Sequence, residues 1–79
     1  MELLKVKIVK DIVYSNQSIK EVKEDYGYVP TLLTFENNEA IIKKGTECFY
    51  GNMPGGKILK SLKGDILEVS DVNDYIKII

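Results

Sequence analysis

The 79-residue chain contains no histidine, no arginine and no tryptophan, and only one cysteine and two prolines. Each absence removes a class of function. Without histidine, the side chain that most often moves protons near neutrality is missing, so general acid–base catalysis has no natural agent. No Ser/His/Asp set can form, and a zinc site would have no histidine and only one cysteine to draw on. Paired carboxylates remain, but a chain this short offers little depth to shield them. The expectation is a protein without catalytic chemistry, metal or cofactor.

A lone Cys48 cannot form an internal disulfide. A domain of this size buries only about 60% of the surface its unfolded chain exposes, so apolar packing must hold it together, alone or completed across a subunit interface. No basic neighbour in sequence activates Cys48, which reads as a buried structural thiol. All eleven basic residues are lysines, set against twelve acids for a net charge of −1. This balance gives no long-range field to gather nucleic acid or an anionic membrane. The missing arginine removes the side chain best suited to bidentate phosphate or base contacts. Nucleic acid is therefore disfavoured as a partner.

Apolar runs are four residues or fewer, against the roughly 20 that a spanning helix requires. The first ten residues alternate charge with apolar side chains and show no secretory core, so the expected location is cytoplasmic. A small, Lys-rich, His-free chain suits a bacteriophage or mobile-element protein of a low-GC bacterium.

What is present is period-two alternation. Leu4, Val6 and Ile8 share one face of a strand over 3–9, with Lys5 and Lys7 between them. Ile12-Val-Tyr14 continues after a bend at Lys10-Asp11. Ser18-Ile-Lys-Glu21 spells a capping box, and Ile19, Val22 and Tyr26 then fall on one helical face before Gly27. A short helix is predicted over 18–26. Residues 31–43 read as a hairpin turning at Glu36-Asn-Asn-Glu39, with Pro30 at its start. Further strands are predicted at 46–50, 57–62, 66–70 and 75–79. Such spacing argues for a closed barrel or a sandwich.

In the second half, Cys48 and Tyr50 alternate, Pro54 follows in a loop, and Ile58, Leu59 and Leu62 form the next strand. Gly64-Asp65 makes a turn, Leu67 and Val69 alternate again, and Tyr75-Ile-Lys-Ile78 closes the chain. This order over 41–79 resembles the bacterial SH3 (SH3b) family, with Tyr75 in place of a tryptophan, Gly51 in place of an arginine and Met53 in place of a loop glycine. The resemblance implies a mainly β fold, a small SH3-like β-barrel with one short N-terminal helix, and a binding module rather than an enzyme. The chain then forms a single domain over 1–79. Residues 1–39 supply a strand, the helix and a hairpin strand, and 40–79 form the SH3b-like half. The family commonly binds cell-wall peptides, although Gly51 and Met53 depart from it where its ligand face lies.

Gly51 and Gly56-Lys57 approach a phosphate-binding loop, but Ile58 stands where Ser or Thr should hold magnesium, so a glycine-rich β-turn is expected. Tyr14, Tyr26, Tyr28, Phe49 and Tyr50, with Pro30 and Pro54, could line a shallow groove for an extended peptide. Phe49 alternates with inward Cys48 and Tyr50 and should point outward, either free as an interface or covered by the helix. Lys60 and Lys63 flank a strand–turn within reach of a phosphate, with a solvated surface as the simpler reading. Glu68, Asp71 and Asp74 read as a turn rather than a calcium loop.

The surface expected to bind a protein or peptide partner combines Tyr28, Phe49, Met53, Pro54 and Tyr75. The alternatives are a homo-oligomer sheltering a nucleotide, a cell-wall-targeting module and a nucleic-acid-binding barrel.

Overall fold

A computed structural model describes residues 2–79. Among the described residues, eight strands form two antiparallel sheets, accompanied by one short α-helix. The strands are β1 (Leu3–Ile8), β2 (Ile12–Ser15), β3 (Thr34–Glu36), β4 (Glu39–Ile42), β5 (Glu47–Met53), β6 (Gly56–Lys60), β7 (Ile66–Val69) and β8 (Ile76–Ile78). The five-stranded sheet runs β7-β6-β5-β1-β8 and the three-stranded sheet β2-β4-β3.

The mainly β class and the short helix agree with the sequence reading. The closed barrel does not: among the described residues no ladder joins the two sheets. The reason lies at the corner between β1 and β2. Asp11 accepts a hydrogen bond from the Lys44 amide at 2.7 Å and another from the Lys43 ammonium at 3.3 Å. That corner carries the chain out of the first sheet and into the second.

The helix α1 (Ile19–Tyr26) forms where its local signals place it. Ser18 accepts from the Glu21 amide, and the Glu21 carboxylate accepts from the Ser18 amide at 3.0 Å. Gly27 ends it with φ of 78° and donates its amide to the Lys23 carbonyl. The expected three-residue face is reduced to one buried side chain. Val22 is buried, whereas Ile19 stays 54% exposed. A helix of two turns rests on the core by a single side chain. Ser18→Ala should therefore cost about 1 kcal/mol, read as a lower urea midpoint with an unchanged slope.

Turn chemistry sets the registers. Asn37 and Asn38 both hold positive φ, as the two central residues of a type I′ hairpin must, and Glu36 faces Glu39 across them. Between β5 and β6 the turn is Pro54-Gly55, with Met53 opposite Gly56.

Several expected strands are shorter than the sequence reading: 3–9 and 66–70 each lose a residue, and the closing strand begins at Ile76 because Tyr75 ends a 3-10 turn. The hairpin begins at Thr34, because the Pro30 carbonyl accepts from the Leu33 amide and folds 31–33 into a turn. β6 stops at Lys60, because the Ser61 hydroxyl takes the Lys63 and Asp65 amides and bends the chain away. Leu62 is consequently exposed.

Alternation builds one core. Tyr50, Leu59 and Leu67 lie in register across the inner face of the large sheet, followed by Val6 opposite Cys48. Ala40 and Ile42 of the small sheet, Val22 of α1, and Leu32, Leu33 and Val72 from the connections complete the same cluster. Cys48 is fully buried, and burial pushes its thiol up to about 11. Among the described residues no helix is long and apolar enough to cross a membrane.

Candidate functional site

The failure of the sheets to close leaves four edge strands among the described residues, β7 and β8 of the large sheet and β2 and β3 of the small one, and two of these, β2 and β7, border a common cleft of about 300 Å³. Ile12 to Ser15 make one wall, Glu68 to Ser70 with Val72 the other, and Tyr26 comes in from the end of α1. An unpaired edge exposes amides and carbonyls that a further strand can satisfy. Here two edges border one opening.

The β2 wall is shaped by a bulge. Val13 pairs with Ile41 and Ser15 with Ala40, so Tyr14 is the extra residue between them. Bulges break the ladder and re-aim side chains, which is why they gather near binding sites. The Tyr26 and Tyr14 hydroxyls share a hydrogen bond at 3.1 Å. Burial first, then the Tyr26 bond and the neighbouring Glu68, raise the Tyr14 phenol well above its ordinary range, so it remains a neutral donor. Beside it the Ser15 hydroxyl is buried with no hydrogen-bond partner among the described residues. A buried hydroxyl left unpaired costs about 1–3 kcal/mol. The fold tolerates that cost at the bulge.

The cleft continues at both ends. It shares Ile12, Val13, Ser70 and Val72 with a second hollow that also contains Asp11, Asp71 and Tyr75. At the other end it shares Glu68 and Val69 with a depression under Met53 and Pro54. Its acids are Asp11, Glu68 and Asp71, and Lys57 at the Met53 end is the one lysine along it. Lys43 and Lys44 already engage Asp11, so Glu68 and Asp71 remain to meet a cation.

Three of the five residues expected from sequence, Met53, Pro54 and Tyr75, therefore border one continuous groove. Phe49 lies elsewhere, half-buried on the outer face of the large sheet between Lys5 and Lys60. Helix α1 packs against the inner face through Val22, in the cluster that holds Cys48 and Tyr50, and so leaves the Phe49 face alone. Tyr28 is exposed in the segment after α1. Tyr14 and Tyr26, both weighed as groove aromatics, are brought together by the fold. Ser15 and Val69 were missed. No sequence signal marks a bulge, and the cleft brings together β2 and β7, whose residues are more than fifty positions apart.

The Gly51–Lys57 segment is a hairpin and not an open loop. Gly51, Asn52 and Met53 pair with Ile58, Lys57 and Gly56, and the Lys57 ammonium bonds the Asn52 side chain at 2.5 Å. Among the described residues no cluster of three or more Cys, Asp or Glu side chains is placed to hold a metal ion. No family model, no curated protein and no solved structure matches the chain.

Proposed function

We propose that the protein is a non-enzymatic binding module that takes an extended peptide segment of a protein partner into the groove between β2 and β7. The observation that carries this reading is the pair of unpaired strand edges facing one cleft. An inserted strand would hydrogen-bond to either edge, the mode in which main-chain bonds give affinity and alternate side chains give specificity. Ile12, Val69 and Val72 offer apolar footing, while Tyr14 and Ser15 offer hydroxyls to the peptide backbone. Glu68 and Asp71 favour a segment with a lysine or arginine. The two sheets correspond, in this reading, to an SH3-like barrel left open on one side, in keeping with the resemblance of 41–79 to the SH3b family. The module acts in the cytoplasm, where a lone reduced thiol is the ordinary state.

The test starts from peptides selected by display on the immobilised domain, with affinities then measured by calorimetry. Ser15→Ala should raise the stability of the free domain by about 0.5–1 kcal/mol, since an unpaired buried hydroxyl disappears, yet weaken peptide binding by about tenfold. Gain in stability with loss of affinity is the expected signature. If no peptide is selected, or if Ser15→Ala binds as wild type does, the groove reading fails. Light scattering decides whether a second copy fills the groove instead, because edge-to-edge pairing would double the mass.

A further inference from the structure

The near-zero net charge conceals a segregation that only the registers reveal. Lys7 faces Lys77 across β1 and β8, and Lys5, Phe49 and Lys60 stand side by side across β1, β5 and β6. Paired residues share a face, so four lysines and one aromatic ring crowd the outer surface of the large sheet. Only Glu47 and Glu68 oppose them there, and Glu47 is drawn to Lys5 at 3.8 Å. Among the described residues, Lys7, Lys60, Lys63 and Lys77 form no ion pair. Like charges directly opposite on adjacent strands repel and destabilise the sheet. Lys7 and Lys77 keep that arrangement, with Glu47 opposite Lys7 on its other side.

Beside this row lies an open hollow of about 380 Å³, floored by Phe49, Leu3 and Leu62 and rimmed by Lys60 and Lys63. It can admit one flat ring against Phe49, with an anion at its rim. From Lys60 to Lys5 is two strand spacings, about 10 Å, and Lys7 lies about 7 Å further along β1, with Lys77 one strand beyond. That path matches a run of about five nucleotides, near the small end of single-strand binding sites.

We propose that the outer face of the five-stranded sheet binds single-stranded nucleic acid, stacking one base on Phe49 in the hollow and tracking the backbone along Lys63, Lys60, Lys5, Lys7 and Lys77. Stacking on an aromatic platform beside a basic track is tolerant of sequence, because every base has a π-face. Lysines are adequate for this, since they serve as point charges and no base edge has to be read. The surface lies across the large sheet from its core-facing side and does not depend on the peptide groove.

Fluorescence anisotropy with a fluorescein-labelled thymidine oligonucleotide of about 12 nucleotides tests this. With five phosphates neutralised, the logarithm of the association constant should fall against the logarithm of salt concentration with a slope of about −3.5. Phe49→Leu keeps an apolar side chain in the half-buried position and should weaken binding by about tenfold. The double variant Lys7→Gln/Lys77→Gln should reduce the magnitude of the slope by about 1.4 while raising the melting temperature, because the opposed charges are gone. Circular dichroism confirms that each variant is folded. Absent or salt-independent binding overturns the proposal. It is equally overturned if Phe49→Leu binds as tightly as wild type, which would leave a polyanion contact without stacking, or if the protein partitions onto vesicles rich in phosphatidylserine and ignores the oligonucleotide.

Discussion

Leu59→Ala is expected to remove about 3 kcal/mol of stability and to lower the melting temperature by about 15 °C. Leu59 is fully buried and sits in register between Tyr50 and Leu67 at the centre of the inner face. Truncation loses the transfer free energy of its methyl groups and leaves a cavity that flanking strands cannot close. A domain of this size has about 4–12 kcal/mol in total, and among the described residues no disulfide or metal ligand set supplements its core. Leu62→Ala provides the contrast. That side chain is 62% exposed in the turn after β6, so its loss should change stability by no more than about 0.5 kcal/mol. Thermal melts followed by circular dichroism separate the two. Comparable losses at both positions would mean that the inner face is not where the chain is held together.

The contrast between these leucines also marks what could be read from the sequence. Alternation placed Val6, Ile8, Cys48, Tyr50 and Leu67 inward because period two is a local property of a strand. The Ser18–Glu21 box and the Asn37-Asn38 turn were legible for the same reason: every partner lies within one turn of chain. Leu62 was misjudged as part of a strand because apolar character alone does not reveal that the Ser61 hydroxyl pulls the backbone into a turn. The division into two sheets was hidden for a related reason. Whether β2 returns to the first sheet or leaves it depends on Asp11 meeting Lys43 and Lys44, more than thirty residues away.

The candidate surfaces follow the same division. Phe49 was legible as an outward residue, since its neighbours Cys48 and Tyr50 point inward. The lysines around it were not, because Lys5, Lys7, Lys60 and Lys77 come from three strands and meet only through register. Composition reports a sum, and a sum of −1 is equally consistent with mixed charges or with separate acidic and basic faces. The fold separates most of them, gathering Lys5, Lys7, Lys60 and Lys77 on the outer sheet face and placing Asp11 and Asp71 along the groove, with Glu68 at the boundary between the two. A two-faced small domain can thus carry two kinds of contact without either appearing in its net charge.

Asp65→Ala is expected to cost about 2–3 kcal/mol at neutral pH, through a network with no local signature. Asp65 accepts from the Thr31 amide at 2.6 Å, from the Thr31 hydroxyl at 2.8 Å and from the Ser61 hydroxyl. It thereby ties the β6–β7 turn to the segment entering β3, where Pro30 is fully buried. Burial pushes its carboxyl up, but the bonds from Ser61 and Thr31 outweigh this and hold it down at about 2. The folded value lies below the ordinary 3.8, so the carboxylate's contribution is complete above about pH 4 and is lost as pH falls toward about 2. Discounted for solvent at this partly exposed site, that contribution amounts to about 1 kcal/mol. Asp65→Asn keeps the shape and one acceptor without the charge, so its stability should fall less steeply than wild type across that acid window. Urea midpoints measured near neutrality and at a series of acidic pH values decide the matter. Parallel pH profiles for wild type and Asp65→Asn would show that the Thr31–Ser61 bonds do not depend on an ionised carboxylate, and the loop tie would then rest on packing around Pro30 instead.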